Sequence, residues 1–414
     1  MGEPVAPSPQ NGRGGKKRKR ARRKNAAHKA GSIGPDTFAV AAEKKADPET
    51  GKPRSFARNS NADHNGGNGR SPKSRKSESF DPRRSWIGRS AYAALDLGTN
   101  NCRLLIARAG ADGFTVVDAF SRVVRLGEGL TATGKISDEA MDRAVEALSV
   151  CADKLKRRNV TLARSVATEA CRQAVNGAQF IERVRLETGI VLDIIPPQEE
   201  ARLAVMGCHA LLEPGDGPAL IFDIGGGSTE LVLVSTDGVV PQIIDWVSVP
   251  WGVVSLTESE PFDQEDEQAR RVGYAAMRAK VLASFAEFAE RLPNDRGDLR
   301  LLGTSGTVTT LASVYLGLRN YDRKQVDGLH LPSDAMREIS RELASRSPDG
   351  RAEFPTIGRE RADLVVAGCA ILEAILDIWP GERLGIADRG IREGILRALM
   401  ASDEKRSGPK SRHP

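Results

Sequence analysis

Two short stretches of this chain carry one pattern. Asp223-Ile224-Gly225-Gly226-Gly227-Ser228-Thr229-Glu230 leads into the aliphatic run Leu231 to Val234, and Asp96-Leu97-Gly98-Thr99-Asn100-Asn101-Cys102-Arg103 leads into Leu104 to Ala107, 127 residues earlier. Each is an acid ending an aliphatic run, a glycine-bearing polar turn, then a second aliphatic run, which reads as a strand, a turn and a strand. Three consecutive glycines remove the Cβ atoms that keep a ligand away from backbone N–H groups, so the turn suits phosphate oxygens. Taken singly, a glycine-rich hairpin with no ligand reads the same way. The second copy, a domain's length away, points to a duplicated fold gripping one phosphate-bearing ligand from both sides of a cleft. Asp223 at the strand's end and Glu230 one strand later are then placed to hold a hard cation against those oxygens.

Charge divides the 414 residues unevenly. Residues 1–90 hold 22 Lys and Arg against 8 Asp and Glu, a balance of +14, and the remainder of the chain stands at −8. The stretch 1–86 lacks aliphatic periodicity and is rich in Gly, Ser, Asn and Pro, so it is expected to be a disordered basic tail. Its cluster Lys16-Lys17-Arg18-Lys19-Arg20 either attracts a polyanion or only solubilises the chain. There is no apolar leader and no run that spans a bilayer, and five cysteines fall without CxxC spacing. They read as reduced residues of a cytoplasmic protein. With His28, His64 and His413 outside the periodic region, only His209 and His330 remain for the folded part, so catalysis falls to carboxylates.

Between the turns the pattern alternates strand and helix. Strands are expected into Asp96, out to Ala107, over Phe114 to Phe120, and over Ala163 to Ala167, with a short one over Ile190 to Ile195. Ser137 ahead of Asp138-Glu139 is an N-cap for a helix running to about Arg158. Gln198-Glu199-Glu200 opens another helix. Acids there stabilise a helix start in any case, and since neighbouring helical residues point about 100° apart, one of the two can also face a cleft. Further on, strands are expected around Val239 to Val249 and over Arg383 to Ala387. Helices are expected over Asp263 to Arg291, Ser333 to Arg346, Arg359 to Ile378 and Ile391 to Met400. Arg300 to Ala312 reads as a strand, a Gly-Thr-Ser-Gly loop and a helix whose first amides suit an anion, as a plain strand-to-helix connection also would.

Eight motifs in this order resemble the exopolyphosphatase and guanosine pentaphosphate phosphohydrolase family: DLGTN at Asp96, RLGEGL at Arg125, ATEACR at Ala167, EEARL at Glu199, DIGGGSTE at Asp223, GTSGT at Gly303, ERAD at Glu360 and REG at Arg392. The resemblance spans about Tyr92 to Met400. It implies an α/β fold, the duplicated ribonuclease-H-like domains of the actin, chaperone and sugar-kinase superfold, with an interdomain cleft. The halves are expected at 87–205 and 206–401, with a polar tail at 402–414. No His-Asp metal motif or extra C-terminal helical domain appears, so the chain looks like the short, two-domain form, and the basic tail is no part of the family pattern.

By that resemblance Glu200 is the catalytic carboxylate that orients or deprotonates the attacking water. Asp223 and Glu230, with Asp96 through water, hold Mg²⁺ or another divalent cation. Thr99, Asn100, Gly225, Gly226, Gly227 and Ser228 form the two phosphate-binding turns. Arg103, Arg125, Arg172 and Arg361 stand in the motifs as cations for a polyanionic chain, each of them equally able to form a structural salt bridge. The implied reaction releases the terminal phosphate of inorganic polyphosphate or the 5′ γ-phosphate of guanosine pentaphosphate, and the implied assembly is a homodimer. Two rivals remain: an acceptor-dependent kinase of the same superfold, and a catalytically silent polyanion- or RNA-binding protein. A tail of +13 over residues 1–86 holds a long polyanion near the cleft without organising chemistry. Deleting residues 1–86 therefore raises KM for long polyphosphate, weakens its salt dependence and leaves kcat nearly unchanged. Equal losses on guanosine pentaphosphate, which is too short to bridge tail and cleft, would contradict this.

Overall fold

The aliphatic run before each repeated acid becomes a strand buried on both faces: β1 (Ala91–Leu97) in one sheet and β6 (Ala219–Ile224) in another. The computed structural model describes residues 90–110, 113–237, 241–262, 264–292 and 299–407. The expected basic tail and the chain from residue 408 lie outside them. The first sheet also contains β2 (Asn101–Gly110), β3 (Gly113–Val123), β4 (Val160–Ala167) and β5 (Asp193–Ile194), in the order β3-β2-β1-β4-β5. The second contains β7 (Thr229–Ser235), β8 (Gln242–Val249), β9 (Arg300–Thr304), β10 (His330–Pro332) and β11 (Arg383–Ala387), in the order β10-β11-β9-β6-β7-β8.

In each sheet an antiparallel three-strand meander is followed by parallel strands, β1 beside β4 and β6 beside β9. Apart from the added β10, the second order is the first repeated, which is the duplication expected from the two turns. The register is repeated too: Asp96 lies opposite Arg103, and Asp223 lies opposite Glu230.

The helices of the first half are α1 (Leu130–Thr133), α2 (Asp138–Arg157), α3 (Glu169–Gln173), α4 (Gly177–Thr188) and α5 (Pro197–Cys208). Ser137 caps α2 as expected, its hydroxyl accepting the Ala140 amide at 3.2 Å. In the second half come α6 (Val253–Ser259), α7 (Glu267–Arg291), α8 (Gly306–Tyr315), α9 (Arg323–Val326), α10 (Ser333–Ser345), α11 (Pro348–Ala352), α12 (Val365–Ile378) and α13 (Ile391–Ser407). Among the described residues no helix is long and apolar enough to cross a membrane.

Four apolar clusters fix the layers. Helices α2 and α4 cover one face of the first sheet, and α7, α8, α10 and α12 cover one face of the second. The other faces meet in the middle. There Ile395, Leu396 and Met400 of α13 pack on Tyr92, Ala94 and Leu105, while Ala201, Val205 and Cys208 of α5 pack on Ile221 and Val232. The end of the chain thus crosses back to the first sheet. Side chains alternate along a strand, so Asp96 shares the inner face of Tyr92 and Ala94, and Asp223 shares that of Ala219 and Ile221. Both acids therefore point toward the layer where α5 and α13 lie.

The helices α5 and α13 cross with their backbones nearly touching. A Cβ on Gly207 would stand 2.0 Å from the Gly390 carbonyl oxygen, and one on Gly394 would stand 2.0 Å from that of Leu203. No rotamer change relieves a clash with backbone, so Gly394→Ala costs at least about 2 kcal/mol and lowers the melting temperature. Gly350→Ala in α11, where the added atom meets only ordinary contacts beginning at 3.5 Å, leaves melting unchanged. Equal melting of the two variants would contradict this crossing.

Candidate active site

Chain ends of β1, β4, β6 and β9 open into one cleft between the sheets, as strand ends do in open α/β folds. Its walls contain Asp96, Thr99, Asn100, Arg103, Glu200, Asp223, Gly225, Gly226, Gly227, Ser228 and Arg361, all expected from the sequence. They also contain Thr168 and Glu169 after β4, and Ser305, Gly306, Thr307 and Thr310 after β9. The second group was legible only as the Gly-Thr-Ser-Gly loop and as part of the ATEACR motif. Three expected residues are not part of its lining. Glu230, 2 % exposed, lies opposite Asp223 on the neighbouring strand, the Arg125 guanidinium donates to the Glu360 carbonyl at 3.2 Å, and Arg172 pairs with Glu169 and Glu200.

The two turns are seated by their carbonyls. The amides of Val124 and Arg125 donate to the Asn100 carbonyl, and the Gly127 amide donates to that of Thr99. On the other side, the first amides of α6 take the carbonyls of Gly225 and Gly226, and the Ser255 hydroxyl donates to that of Gly227. The amides of Thr99, Asn100, Gly226, Gly227 and Ser228 find no acceptor among the described residues. Such groups, together with the α8 N-terminus at Ser305 and Gly306, offer hydrogen-bond donors of the kind that suit an anion. The turns also touch: a Cβ on Gly226 would meet the Thr99 side chain at 2.9 Å, and one on Gly227 would meet the Thr99 hydroxyl at 2.7 Å. The glycines thus permit the two halves to close on each other as well as a ligand to approach.

Glu200 is the acid of the Glu199–Glu200 pair that faces inward. Glu199 points away and pairs with Arg164 and Arg202. One Glu200 oxygen accepts from Arg172 at 2.8 Å. Burial, then the Glu230 charge, hold the Glu200 carboxyl well above the ordinary carboxylate range, against the pull of Arg172. Burial and Asp223 push Glu230 up to about 7, opposed by hydrogen bonds from Ser248 and Ser228, which reach it at 2.7 and 2.8 Å. Asp96 and Asp223 are raised by burial too, with Arg103 opposing in both cases. Ser305, whose hydroxyl lies beside Asp223, has φ 75°, a strained value for a residue with a side chain. Arg361 is half-buried in the wall and makes no ion pair with another described residue.

A divalent cation fits this arrangement in one particular way. Among the described residues, Asp96 Oδ1, Asn100 Oδ1 and Asp223 Oδ1 are buried acceptors without a hydrogen-bond partner. The described residues contain no cluster of three acids, histidines or cysteines spaced to ligate a metal by themselves. Mg²⁺ characteristically takes one or two carboxylates and fills its shell with water and phosphate oxygens.

The raised acids give a sign to the pH dependence of stability. The fold favours neutral Glu230, so its contribution is fully present below the ordinary value of 4.5 and is lost as pH rises through about 7. In chelator, the melting temperature falls between pH 5 and pH 8, and Glu230→Gln melts higher than wild type at pH 8, by a few degrees, with a shallower fall. Parallel melting curves for the two proteins would contradict the repulsion described here.

Comparison with known proteins places this geometry. The model of the Ppx/GppA phosphatase family matches residues 105–403. Exopolyphosphatase 2 of Mycobacterium tuberculosis is 30 % identical over 325 residues, covering 74 % of this chain and 98 % of the relative. The crystal structure of an Aquifex aeolicus Ppx/GppA family member superposes with a TM-score of 0.61 at 25 % identity, covering 77 % of this chain and 99 % of that one. An exopolyphosphatase structure from Cytophaga hutchinsonii shares the fold, with a TM-score of 0.68 at 23 % identity over 76 % of this chain and 98 % of that one. By its motifs, its doubled sheet and these matches, the chain belongs to the Ppx/GppA phosphatase family.

Proposed function

We propose that this chain is a hydrolase that acts on inorganic polyphosphate, releasing the terminal phosphate. The observation that carries the reading is the pair of turns whose unbonded amides meet across one cleft, with the Glu200 carboxylate buried in the wall between the halves. A relative that covers nearly its whole length on this chain is named an exopolyphosphatase. The 5′ γ-phosphate of guanosine pentaphosphate ends in the same anhydride and is the second substrate this reading admits. The halves 87–205 and 206–401 are taken as the two lobes, each contributing one turn.

In this reading the terminal phosphoryl oxygens accept from the amides of Thr99, Asn100, Gly226, Gly227 and Ser228, and Arg103 and Arg361 balance the charge of the chain. Water enters between the terminal phosphorus and Glu200. As the water oxygen bonds to phosphorus, Glu200 takes its proton, and the bond from phosphorus to the bridging oxygen breaks. The shortened chain leaves with that electron pair. A carboxyl whose proton affinity is raised by burial is a stronger proton acceptor than an ordinary one. Asp223, Glu230 and, through water, Asp96 would hold a divalent cation such as Mg²⁺, which neutralises phosphate charge in such reactions.

The deciding assay is phosphate release from long-chain polyphosphate and, side by side, from guanosine pentaphosphate, without ATP or an acceptor. A kinase of the same fold gives no release under those conditions. Glu200→Gln lowers kcat at least about 100-fold while leaving KM within a small factor, and excess chelator abolishes wild-type turnover. Near-normal turnover in Glu200→Gln would remove this carboxylate from the chemistry, and undiminished hydrolysis in chelator would leave Asp223 and Glu230 a structural role only.

A further inference from the structure

The guanidinium of Arg172 is committed on almost every side. Its Nη1 donates to Glu200 Oε2 at 2.8 Å and to the Ile195 carbonyl at 2.7 Å. Its Nε donates to Glu169 Oε2 at 2.9 Å, and Nη2 donates to the same oxygen. Four of the five N–H donors of an arginine are thereby used. The other Glu169 oxygen accepts from Gln173, so the clamp is itself held from behind. Three separate segments meet in it: α3 supplies Arg172 and Glu169, the residue just after β5 supplies the Ile195 carbonyl, and the first turn of α5 supplies Glu200. The arginine side chain is 14 % exposed, and it is not among the residues that line the cleft.

We propose that Arg172 is a positioning residue for the general base, a fork that fixes Glu200 by one oxygen and leaves the other for the attacking water, and that it does not bind substrate. The inference rests on the reading of Glu200 as that base. Glu200 Oε1 accepts no hydrogen bond among the described residues, and the side chain lines the cleft. Without the fork, a flexible glutamate in the first turn of a helix, facing the like charge of Glu230, rotates away from the substrate, and reaction rates are steeply sensitive to such misplacement. Lysine is no full substitute, because a single ammonium cannot reach both carboxylates and the carbonyl in the geometry of a planar fork.

The test compares Arg172→Gln, Arg172→Lys, Glu200→Gln and the Arg172→Gln/Glu200→Gln double variant in polyphosphate hydrolysis with Mg²⁺. Arg172→Gln lowers kcat about 10- to 100-fold with KM within about twofold of wild type, and Arg172→Lys falls between. The double variant is no slower than Glu200→Gln, because the clamp acts only through the carboxylate it holds. Should Arg172→Gln not fold, Arg172→Lys carries the same comparison of kcat with KM. A rise in KM at unchanged kcat would make Arg172 a substrate cation and overturn the proposal, as would losses that multiply in the double variant. Near-normal turnover by Glu200→Gln would instead overturn the base assignment itself, and the positioning role with it.

Discussion

Three carboxylates, Asp96, Glu200 and Asp223, line one poorly solvated cleft, a fourth, Glu230, is buried beside them, and the structure around them keeps them there against their mutual repulsion. Two like charges about 5 Å apart at an effective dielectric near 20 repel by about 3 kcal/mol, a large share of the net stability of any fold. The answer here is local. Arg103 offsets Asp96 and Asp223, Arg172 holds Glu200, and two serine hydroxyls hold Glu230. What these groups leave uncancelled is a demand for positive charge in the cleft. In the proposed reading, a polyphosphate arriving with a divalent cation would meet that demand, and the free amides would take the anion's own charge.

The duplication becomes asymmetric where the chemistry requires it. At one register position, opposite the terminal acid of the central strand, the first copy carries Arg103 and the second carries Glu230. One half thereby carries a guanidinium at this position, and the other carries paired acids of a kind suited to a hard cation. Backbone geometry is shared between the turns, whereas the sign of the charge is set by a single side chain. The contact of Thr99 with Gly226 and Gly227 shows why the turns read so differently in sequence: one supplies a side chain and the other supplies the space for it.

Much of this was legible from periodicity and turn chemistry, and the gaps have physical reasons. The repeated hairpins, the Ser137 cap and the strand Arg383–Ala387 carry strong local signals, and they form as read. Helix α6 went unread because it is seven residues long and starts where its first amides bond to the glycine turn, an interaction invisible locally. The helix expected from Arg359 starts only at Val365, since the residues before it form turns that present Arg361 to the cleft. The last helix continues through polar residues to Ser407, where the expectation was a polar tail from 402, and Asp403 on it accepts from Tyr92 at 2.7 Å. The short strand expected over Ile190 to Ile195 shrinks to Asp193–Ile194. For the site, motif positions identified the residues that line the cleft. They could not separate Arg361, without an ion-pair partner among the described residues, from Arg172, bound to two acids, because that difference lies in contacts between distant elements.

The central claim is that two turns from two halves of the fold grip one polyanion together. Its most direct test is amide hydrogen exchange of the protein with Mg²⁺ and a methylene-bridged polyphosphate that resists hydrolysis, followed in peptides covering Thr99 to Asn101 and Gly225 to Thr229. The account predicts that both turns gain protection together, over one range of ligand concentration. Protection confined to one turn, or ligand binding that leaves both unprotected, would contradict it.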